Sequence, residues 1–263
     1  MRLPFVLTRT LKMMSTSPIK SYIEKLRSHL QKSSRIVVFT GAGISTESGV
    51  SDYRSKGGIW DRFQPITFQE FLDEEEKRHE YWRRKKEMFA EMKNAAPNKG
   101  HLAIARLDKQ GKLLGVITQN IDGFHQAAGN QMVLELHGTN REVICLQCGK
   151  VCRFDPVYER LNSGEEVPVC KDCGGLLKPN TISFGQELKR EVLQQAIEWA
   201  QNCDLLLAVG STLIVEPAAS IPRTAKESGA KLVILNREPT PLDGLADLVI
   251  HAEIGPVLEA AVG

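Results

Sequence analysis

The sequence lacks several features that would place it outside the ordinary globular class. No apolar run in its 263 residues approaches the ~20 residues that a membrane-spanning helix needs. It also lacks a charge excess, since the formal net charge is +2, so nothing requires nucleic acid or an anionic membrane as a partner. Internal repeats and low-complexity segments are absent as well. The chain length suits one large domain, or a large domain that carries a smaller one.

Acidic residues are missing from the first 20 positions, which hold the basic residues Arg2, Arg9, Lys12 and Lys20. Such a composition is compatible with a cleaved mitochondrial targeting segment. We favour a disordered N-terminal extension over residues 1–20, because composition alone is a weak signal for targeting. The segment is too weakly apolar for secretion and has no clear cleavage site. We therefore expect a cytoplasmic protein, with a mitochondrial location as the alternative.

Short β-branched apolar segments alternate with helical patterns along most of the chain. The predicted strands cover residues 35–40, 113–118, 204–209, 231–235 and 247–250. The spacing of apolar residues predicts intervening helices over residues 98–109, 188–202 and 218–228. Strands that alternate with helices form a parallel sheet covered on both faces. The predicted fold class is therefore α/β, a Rossmann-like doubly wound parallel sheet.

Two stretches interrupt this alternation and offer no strand for the main sheet. Residues 57–97 are predicted to be helical, and residues 139–178 carry most of the cysteines. We expect these two insertions to build a small second domain from a helical module and a zinc ribbon. The Rossmann-like domain is then formed by residues 21–56, 98–138 and 179–263.

Five of the six cysteines lie close together in the second insertion. In a chain without a secretory signal, such clustering favours metal binding over disulfides. Two C-x-x-C pairs predict one tetrahedral zinc ion, with the ligands Cys145, Cys148, Cys170 and Cys173. A catalytic zinc is the rival, but it needs an open position and usually a histidine or acidic ligand, of which only His137 is near. Cys152 is a spare thiol, and Cys203 is expected to be a small buried hydrophobic residue.

A glycine pair follows the first predicted strand. Gly41 and Gly43 would let backbone amides approach a phosphate, helped by the N-terminus of a following helix. The usual dinucleotide fingerprint has a third glycine where this chain has Thr46, and an acidic residue at the end of a second strand. Asp61 has about the right spacing but lies in a glycine-rich aromatic loop. The motif alone leaves dinucleotide binding and a plain strand-to-helix turn about equally favoured.

Polar residues follow the second strand, at the edge where α/β folds bind ligands. Asn120 and Asp122 are also good helix caps, and that interpretation is favoured for them in isolation. His137 lies beside Gly138 after an apolar run, where a structural role is more common than a catalytic one. Histidine nevertheless titrates near neutral pH, which suits a general base. Gly138 would let a substrate backbone pass closely, and His125 alone looks ordinary.

Taken in order, these strings resemble the sirtuin family. Residues 41–54 read GAGISTESGVSDYR, residues 118–122 read TQNID and residues 135–138 read ELHG. The sequence is also similar to sirtuins at Phe184-Gly185, at Gly210-Ser211-Thr212 and at Asn236. The resemblance covers about residue 35 to the C-terminus. Ser51, Tyr53 and Gln186 depart from the proline, phenylalanine and glutamate that are usual in the family, and we expect mild effects.

The resemblance implies that the chain consumes NAD⁺ to remove acyl groups from lysine side chains of other proteins. His137 is the implied general base, which activates a ribose hydroxyl, while Asn120 and Asp122 hold the nicotinamide ribose and carboxamide. The acyl group ends on ADP-ribose, and free lysine and nicotinamide are released. The implied NAD-binding residues are Gly41, Ala42, Gly43, Ser45, Asp52, Tyr53, Arg54, Trp60, Gln119, Asn120, Asp122, Gly210, Ser211, Thr212, Asn236 and Ile254. Ile182, Phe184 and Gly185 are implied to bind the substrate peptide.

A second substrate question concerns Tyr81 and Arg84, which share a helix face. A Tyr-x-x-Arg pair is typical of sirtuins that prefer succinyl- or malonyl-lysine, because the arginine grips the distal carboxylate. The segment also resembles sirtuins without that preference, and a solvated basic helix is the simplest interpretation. We keep both residues as candidate substrate-binding residues.

Three other functions compete with deacylation. The first is a mono-ADP-ribosyltransferase on the same scaffold, where a protein nucleophile captures the ribose. The second is an NAD-dependent dehydrogenase, which would produce NADH without releasing nicotinamide. The third is a zinc-ribbon nucleic-acid binder, which the near-neutral charge and the lack of a basic-aromatic stripe disfavour. We expect acyl-lysine proteins as partners, and neither a membrane nor nucleic acid.

Overall fold

The structure is a computed structural model that describes residues 17–52 and 58–263. Two members of the implied NAD-binding set, Tyr53 and Arg54, lie outside the described residues, as do residues 1–16. Helix α1 begins at Ser17, inside the predicted N-terminal extension. In the part of the chain that is described, no helix has both the length and the apolar character needed to cross a membrane.

Ten α-helices and nine strands are found among the described residues. In chain order they are α1 (Ser17–Lys32), β1 (Ile36–Thr40), α2 (Ile59–Arg62), α3 (Phe68–Asp73), α4 (Glu75–Lys93), α5 (Lys99–Lys109), β2 (Leu113–Thr118), α6 (Phe124–Ala128), β3 (Val133–Glu135), β4 (Gly138–Cys145), β5 (Val151–Arg153), α7 (Phe154–Asn162), β6 (Leu177–Thr181), α8 (Arg190–Asn202), β7 (Leu205–Val209), α9 (Ser220–Glu227), β8 (Lys231–Leu235), β9 (Leu248–Ile250) and α10 (Ile254–Val262). Short 3₁₀ helices cover Ala42–Ser48 and Asp243–Leu245.

Six strands form a parallel sheet in the order β3-β2-β1-β7-β8-β9. This is the strand order of a doubly wound nucleotide-binding sheet, so the predicted fold class is confirmed. The order reverses between β1 and β7, whose carboxyl ends flank the crevice where such sheets bind ligands. The crevice therefore lies beside the glycine pair that follows β1.

Strand β1 shows why the sheet is covered on both faces. All five of its residues are buried, and its side chains alternate between two apolar clusters. Ile36 and Val38 pack in the cluster that contains residues of α1, α5 and α10. Val37 and Phe39 pack in the cluster that contains residues of α8 and α9. Burial on both faces explains the continuous apolar run that predicted this strand.

The five predicted main-sheet strands and three intervening helices are present, with bounds shifted by at most two residues. Strand β3 (Val133–Glu135) was not predicted as a strand, and it is a sixth member of the sheet. It has three residues, all half-buried, because it lies at an edge with only β2 as its partner. A segment that short carries too little alternation to be separated from a loop.

The two insertions pack together around a separate apolar cluster. Phe71 and Trp82 of the first insertion share this cluster with Val143, Phe154 and Leu161 of the second. The cluster covers an antiparallel sheet in the order β5-β4-β6. Gly138 of β4 pairs with Thr181 of β6. The small sheet therefore extends beyond both predicted limits of the insertion, residues 139 and 178.

Candidate active site

A cavity of about 1090 Å³ opens at the carboxyl ends of the main sheet. It is lined by the turns after β1, β2, β7 and β8, and by residues of α4 and of the segment after β6. Most of the residues implied by the resemblance line it: Gly41, Ala42, Gly43, Asp52, Trp60, Tyr81, Arg84, Gln119, Asn120, His137, Ile182, Phe184, Gly185, Gly210, Ser211, Thr212, Asn236 and Ile254. The structure thus brings together segments that are distant in sequence.

The glycine turns after β1 and β7 touch each other. The backbone amide of Gly43 donates to the carbonyl oxygen of Gly210 at 2.8 Å. A Cβ atom on Gly43 would lie 2.8 Å from the Cα atom of Gly210, and a Cβ atom on Gly41 would lie 2.8 Å from the carbonyl oxygen of Gly210. Side chains are therefore excluded by the chain itself, as well as by any phosphate that approaches. The segment that follows is a 3₁₀ helix, Ala42–Ser48, where the sequence predicted an ordinary helix N-terminus.

A polar loop after β2 reaches across to both glycine turns. The amide nitrogen of the Gln119 side chain donates to Ser211 Oγ at 2.7 Å. The Asn120 side chain donates to the Gly41 carbonyl and to Ser45 Oγ, each at 3.1 Å. These bonds fix both side chains at the floor of the cavity. The role of Asn120 is therefore larger than the helix capping that its residue type suggests.

Ser45 and Asp122 do not line the main cavity but a smaller one beside it, of about 30 Å³. Ser45 Oγ donates to Asp122 Oδ2 at 2.7 Å, and Phe124 N donates to Oδ1 at 2.9 Å. Burial raises the pKa of Asp122, and these hydrogen bonds oppose the shift. Asn120 lines both cavities, so it lies between Asp122 and the main cavity.

His137 is held in one orientation by the same loop. Its Nδ1 lies 2.9 Å from the backbone carbonyl oxygen of Gln119. A carbonyl oxygen only accepts, so Nδ1 carries the proton and Nε2 of the neutral ring is the basic nitrogen. The ring is half-buried and lines the cavity. This arrangement suits a general base.

Gly138 is required for a different reason from the one expected. A Cβ at this position would lie 2.1 Å from the Asn180 carbonyl oxygen, and its φ of 72° lies in the left-handed region. The close neighbour is strand β6 of the same chain, which pairs with Gly138 through Thr181. The structure therefore gives Gly138 a packing role, and the passage of a substrate backbone beside it stays a prediction.

Two buried histidines lie beneath this loop. His101 and His125 are 0% and 1% exposed, and their rings are 5.0 Å apart. Burial lowers the pKa of His101 to about 4 and that of His125 to about 3. Both side chains are therefore neutral in the folded protein at any pH near 7.

We expect this pair to make folding stability sensitive to mild acid. Both histidines take up protons near pH 6.5 only when the chain unfolds, so the unfolded state binds more protons below that pH. The free energy of unfolding should fall by roughly 3–4 kcal/mol between pH 7 and pH 5, measured by urea denaturation. His125→Gln should remove about half of this pH dependence. An unfolding free energy that is constant over this range would contradict the prediction.

The segment after β6 forms the mouth of the cavity. Phe184 is 46% exposed, and its ring centroid lies 5.6 Å from that of Trp60. Residues 183–186 form a turn, in which Gln186 Oε1 accepts from Ser183 N at 3.2 Å. The glutamate that is usual in the family at this position would accept the same hydrogen bond through its own side-chain oxygen. The turn therefore accommodates Gln186 in its place. Trp60, from the implied NAD-binding set, thus contacts Phe184, from the implied peptide-binding set.

Tyr81 and Arg84 both line the cavity, but their side chains are already engaged. Tyr81 is buried and packs edge-on against Phe71. Arg84 forms an ion pair with Glu80, donates to the Gln64 carbonyl at 2.5 Å and covers the Phe63 ring. Its charge is therefore balanced within the chain.

Several cavity residues were missed by the sequence reasoning. Lys85, Met88 and Glu91 extend the α4 face that begins at Tyr81 and Arg84. Their spacing from Tyr81 and Arg84 along the helix was sufficient to predict that they share this face. Glu47 also lines the cavity, and its Oε1 accepts from the first two amides of α10, Ile254 N and Gly255 N, each at 2.9 Å. That contact joins residues 207 positions apart, which no local pattern reveals.

The four predicted zinc ligands form a compact cluster in the small module. The sulfurs of Cys145 and Cys173 are 3.5 Å apart, those of Cys148 and Cys170 are 3.9 Å apart, and all four lie within 4.8 Å of one another. Zinc–sulfur bonds of about 2.3 Å place tetrahedral sulfurs about 3.8 Å apart, so the cluster fits a zinc ion. Four thiolates complete the coordination, which is the arrangement of a structural site.

Both C-x-x-C turns have the same backbone geometry. Gly149 N donates to Cys145 O at 3.0 Å, and Gly174 N donates to Cys170 O at 2.9 Å. The two glycines have φ values of 72° and 74°, which other residues rarely adopt. Cys152 lies on β5 outside the cluster of four, and Cys203 is buried, as expected.

Comparisons with known proteins agree with these features. The model of the Sir2 family matches residues 41–217 of this chain. An NAD-dependent protein deacetylase of Rhodopseudomonas palustris is 47% identical over 247 residues, which cover 93% of this chain and 98% of that protein.

Solved structures give the same result. One structure of a Sir2 enzyme matches with a TM-score of 0.84 at 40% identity, and covers 92% of this chain and 97% of that chain. A second, of Sir2 with a p53 peptide and NAD⁺, matches with a TM-score of 0.82 at 36% identity, and covers 90% of this chain and 95% of that chain. The motifs, the fold, the cavity and the cysteine cluster are thus found together, and the chain belongs to the Sir2 family, the sirtuins.

Proposed function

We propose that this protein is an NAD-dependent protein-lysine deacylase that transfers the acyl group of a lysine side chain to ADP-ribose. The observation that carries the proposal is the position of His137. It lines one cavity together with both glycine turns, the polar loop and the segment over residues 182–185. The Rhodopseudomonas palustris relative is named a deacetylase, and a similar structure contains a peptide with NAD⁺.

NAD⁺ supplies an anomeric carbon from which nicotinamide departs. The glycine turns line the cavity at the switch point of the sheet, where the phosphates are expected. Asn236 lies after β8 and is held by its own bond to the Glu238 carbonyl at 2.7 Å, which places it for the adenosine end. Glu47 fixes the start of α10, and with it Ile254, at the same end of the cavity.

His137 acts as the general base in this proposal. The carbonyl of Gln119 keeps the proton on Nδ1, so Nε2 accepts a proton from a ribose hydroxyl. The acyl oxygen of the lysine amide forms a bond to the anomeric carbon as the bond to nicotinamide breaks. The deprotonated ribose hydroxyl then attacks the acyl carbon of the resulting imidate. Addition of water releases free lysine and leaves the acyl group on ADP-ribose. The protein contributes chiefly by holding the reacting groups in place inside a shaped cavity.

Asn120 and Asp122 position the nicotinamide ribose and carboxamide. Asn120 faces both cavities, and its amide is anchored to the glycine turn through the Gly41 carbonyl. Asp122 is anchored by Ser45 and Phe124. Both anchors come from the chain itself, so they limit the freedom of these two side chains and lower the cost of positioning them around the dinucleotide.

The acylated lysine enters beside Phe184 and Trp60. The exposed ring of Phe184 and the half-exposed ring of Trp60 form an apolar mouth for the lysine methylenes. The peptide is expected to lie along the neighbouring segment, residues 183–186. A lysine side chain matches this mouth, because its methylenes are apolar and two aromatic rings line the cavity there.

We expect acetyl-lysine and small neutral acyl-lysines to be preferred over succinyl-lysine. Arg84 lines the cavity, but its charge is balanced by Glu80, and a distal carboxylate would have to break that pair. Matched peptides carrying acetyl, propionyl or succinyl groups should be tested with and without NAD⁺, following peptide mass. The acetyl peptide should react at least tenfold faster than the succinyl peptide.

Glu80→Gln provides the matched variant for this test. It frees Arg84 without changing the size of its neighbour, so the ratio of succinyl to acetyl turnover should rise. A wild-type preference for the succinyl peptide would contradict the proposed acyl class. If no peptide changes mass with NAD⁺, the deacylase proposal itself fails.

A further inference from the structure

His125 lies beneath the cavity and has no part in the chemistry proposed above. It belongs to α6, which directly follows the polar loop, and it is 1% exposed. Its Nε2 is 2.9 Å from the hydroxyl oxygen of Thr40, the fully buried last residue of β1. A polar ring taken so far from water needs such a bond to offset its desolvation.

A second hydrogen bond connects Thr40 to Thr118, the residue from which the polar loop starts. Thr40 Oγ1 donates to Thr118 Oγ1 at 2.8 Å, and the two residues are partners at the ends of neighbouring strands. Each of the two hydroxyls can donate to one neighbour and accept from the other, so the connection from Thr118 to the His125 ring holds for either tautomer of the ring. Burial lowers the pKa of His125 to about 3, so the ring is neutral, with one nitrogen that donates and one that accepts.

Thr118 is in turn hydrogen-bonded to Asn120. Its hydroxyl oxygen also accepts from the backbone amide of Asn120 at 3.0 Å. Three consecutive hydrogen bonds therefore join the ring of His125 to the backbone of a residue at the floor of the cavity. All four residues in this chain of bonds are less than 10% exposed: Thr40, Thr118, Asn120 and His125.

The far end of the loop is attached as well. Phe124 N donates to Asp122 Oδ1 at 2.9 Å, one residue before His125. The loop between Thr118 and Phe124 is thus held at both ends, and His125 joins those ends through Thr40. A closed ring of bonds leaves the peptide groups of the loop little freedom, which is the condition for precise placement of a reacting group.

We propose that His125 is a positioning residue that fixes the backbone of Asn120 through Thr40 and Thr118. The inference rests on the proposed function, in which Asn120 contacts the nicotinamide end of NAD⁺. His125 itself does not line the cavity and touches no reacting atom. Its effect should therefore be on turnover once both substrates are bound.

The test compares His125→Leu, Thr40→Val and the double variant with wild type, at a temperature well below each melting midpoint. We expect kcat with an acetyl peptide and NAD⁺ to fall at least tenfold in each single variant, while both KM values change less than threefold. The double variant should be no slower than the slower single variant, because both changes interrupt one chain of bonds. His125→Gln retains a side-chain amide that can either donate to Thr40 or accept from it, and should recover most of the turnover.

Leu107→Ala controls for loss of stability alone. Leu107 is a buried residue of α5 in the apolar cluster on one face of the main sheet. This variant should lower the melting midpoint and keep kcat within twofold of wild type. The positioning role would be overturned if the single variants kept the wild-type kcat, or if their losses of kcat multiplied in the double variant. A wild-type protein without NAD-dependent deacylation would instead show that the proposed function is wrong, and the inference with it.

Discussion

Replacing His137 by alanine should abolish deacylation while leaving NAD⁺ binding nearly intact. The ring is the only histidine among the cavity-lining residues of the described chain, and Gln119 holds it with Nε2 as the basic nitrogen. General-base catalysis typically contributes about 10²–10⁴-fold to rate, so kcat should fall by that factor. The dinucleotide is expected to bind mainly through the glycine turns, so its Kd should change less than about threefold. Single-turnover rates and calorimetric titration with NAD⁺ measure the two quantities.

The matched control is His79→Ala. His79 lies on α4 with a side chain 41% exposed, where it pairs with Glu75 and Glu166 and does not line the cavity. This variant should keep both turnover and NAD⁺ affinity. Full activity in His137→Ala would refute the assignment of the base. A loss of NAD⁺ binding equal to the loss of turnover would mean that His137 serves binding instead.

Removing one zinc ligand should unfold the small module while the main sheet keeps its structure. Cys145→Ser leaves three thiols around the ion, and structural zinc binding is worth on the order of 10 kcal/mol to a module of this kind. The apolar cluster of the small module includes Cys145 and Cys170 themselves, so loss of the ion also disturbs packing. We expect less than one zinc per chain, loss of amide protection in β4, β5 and β6, and no deacylation.

Cys152→Ser is the control for this experiment. Cys152 is on β5, close in sequence to the ligands but outside the cluster of four. Its replacement should leave one zinc per chain and near-normal activity. A Cys145→Ser protein that is folded, free of zinc and active would contradict the structural role. Loss of zinc in Cys152→Ser would mean that the ligand set is wrong.

The sequence predicted those parts of the fold that depend on local patterns. Strand β1 was predicted because its residues are buried on both faces and therefore uniformly apolar. The zinc cluster was predicted because each C-x-x-C turn is a local unit, with its own glycine and its own backbone bond. The order of the sirtuin motifs then identified which strand ends would meet at the cavity.

Features that depend on contacts between distant segments could not be predicted. Gly138 is required by the Asn180 carbonyl, and Glu47 caps a helix that begins more than 200 residues later. His125 looked ordinary because its partner, Thr40, lies 85 positions away. Arg84 looked available for a carboxylate, since the sequence shows the spacing of the side chain but not its pairing with Glu80.

The most direct test of the central claim is the stoichiometry of products from one reaction with NAD⁺ and an acetyl-lysine peptide. Mass spectrometry should find nicotinamide, deacetylated peptide and O-acetyl-ADP-ribose in equal amounts, because the ribose accepts the acyl group. Free acetate with unchanged NAD⁺ would contradict the mechanism. ADP-ribose attached to protein, with the peptide still acetylated, would contradict the proposed function and favour an ADP-ribosyltransferase.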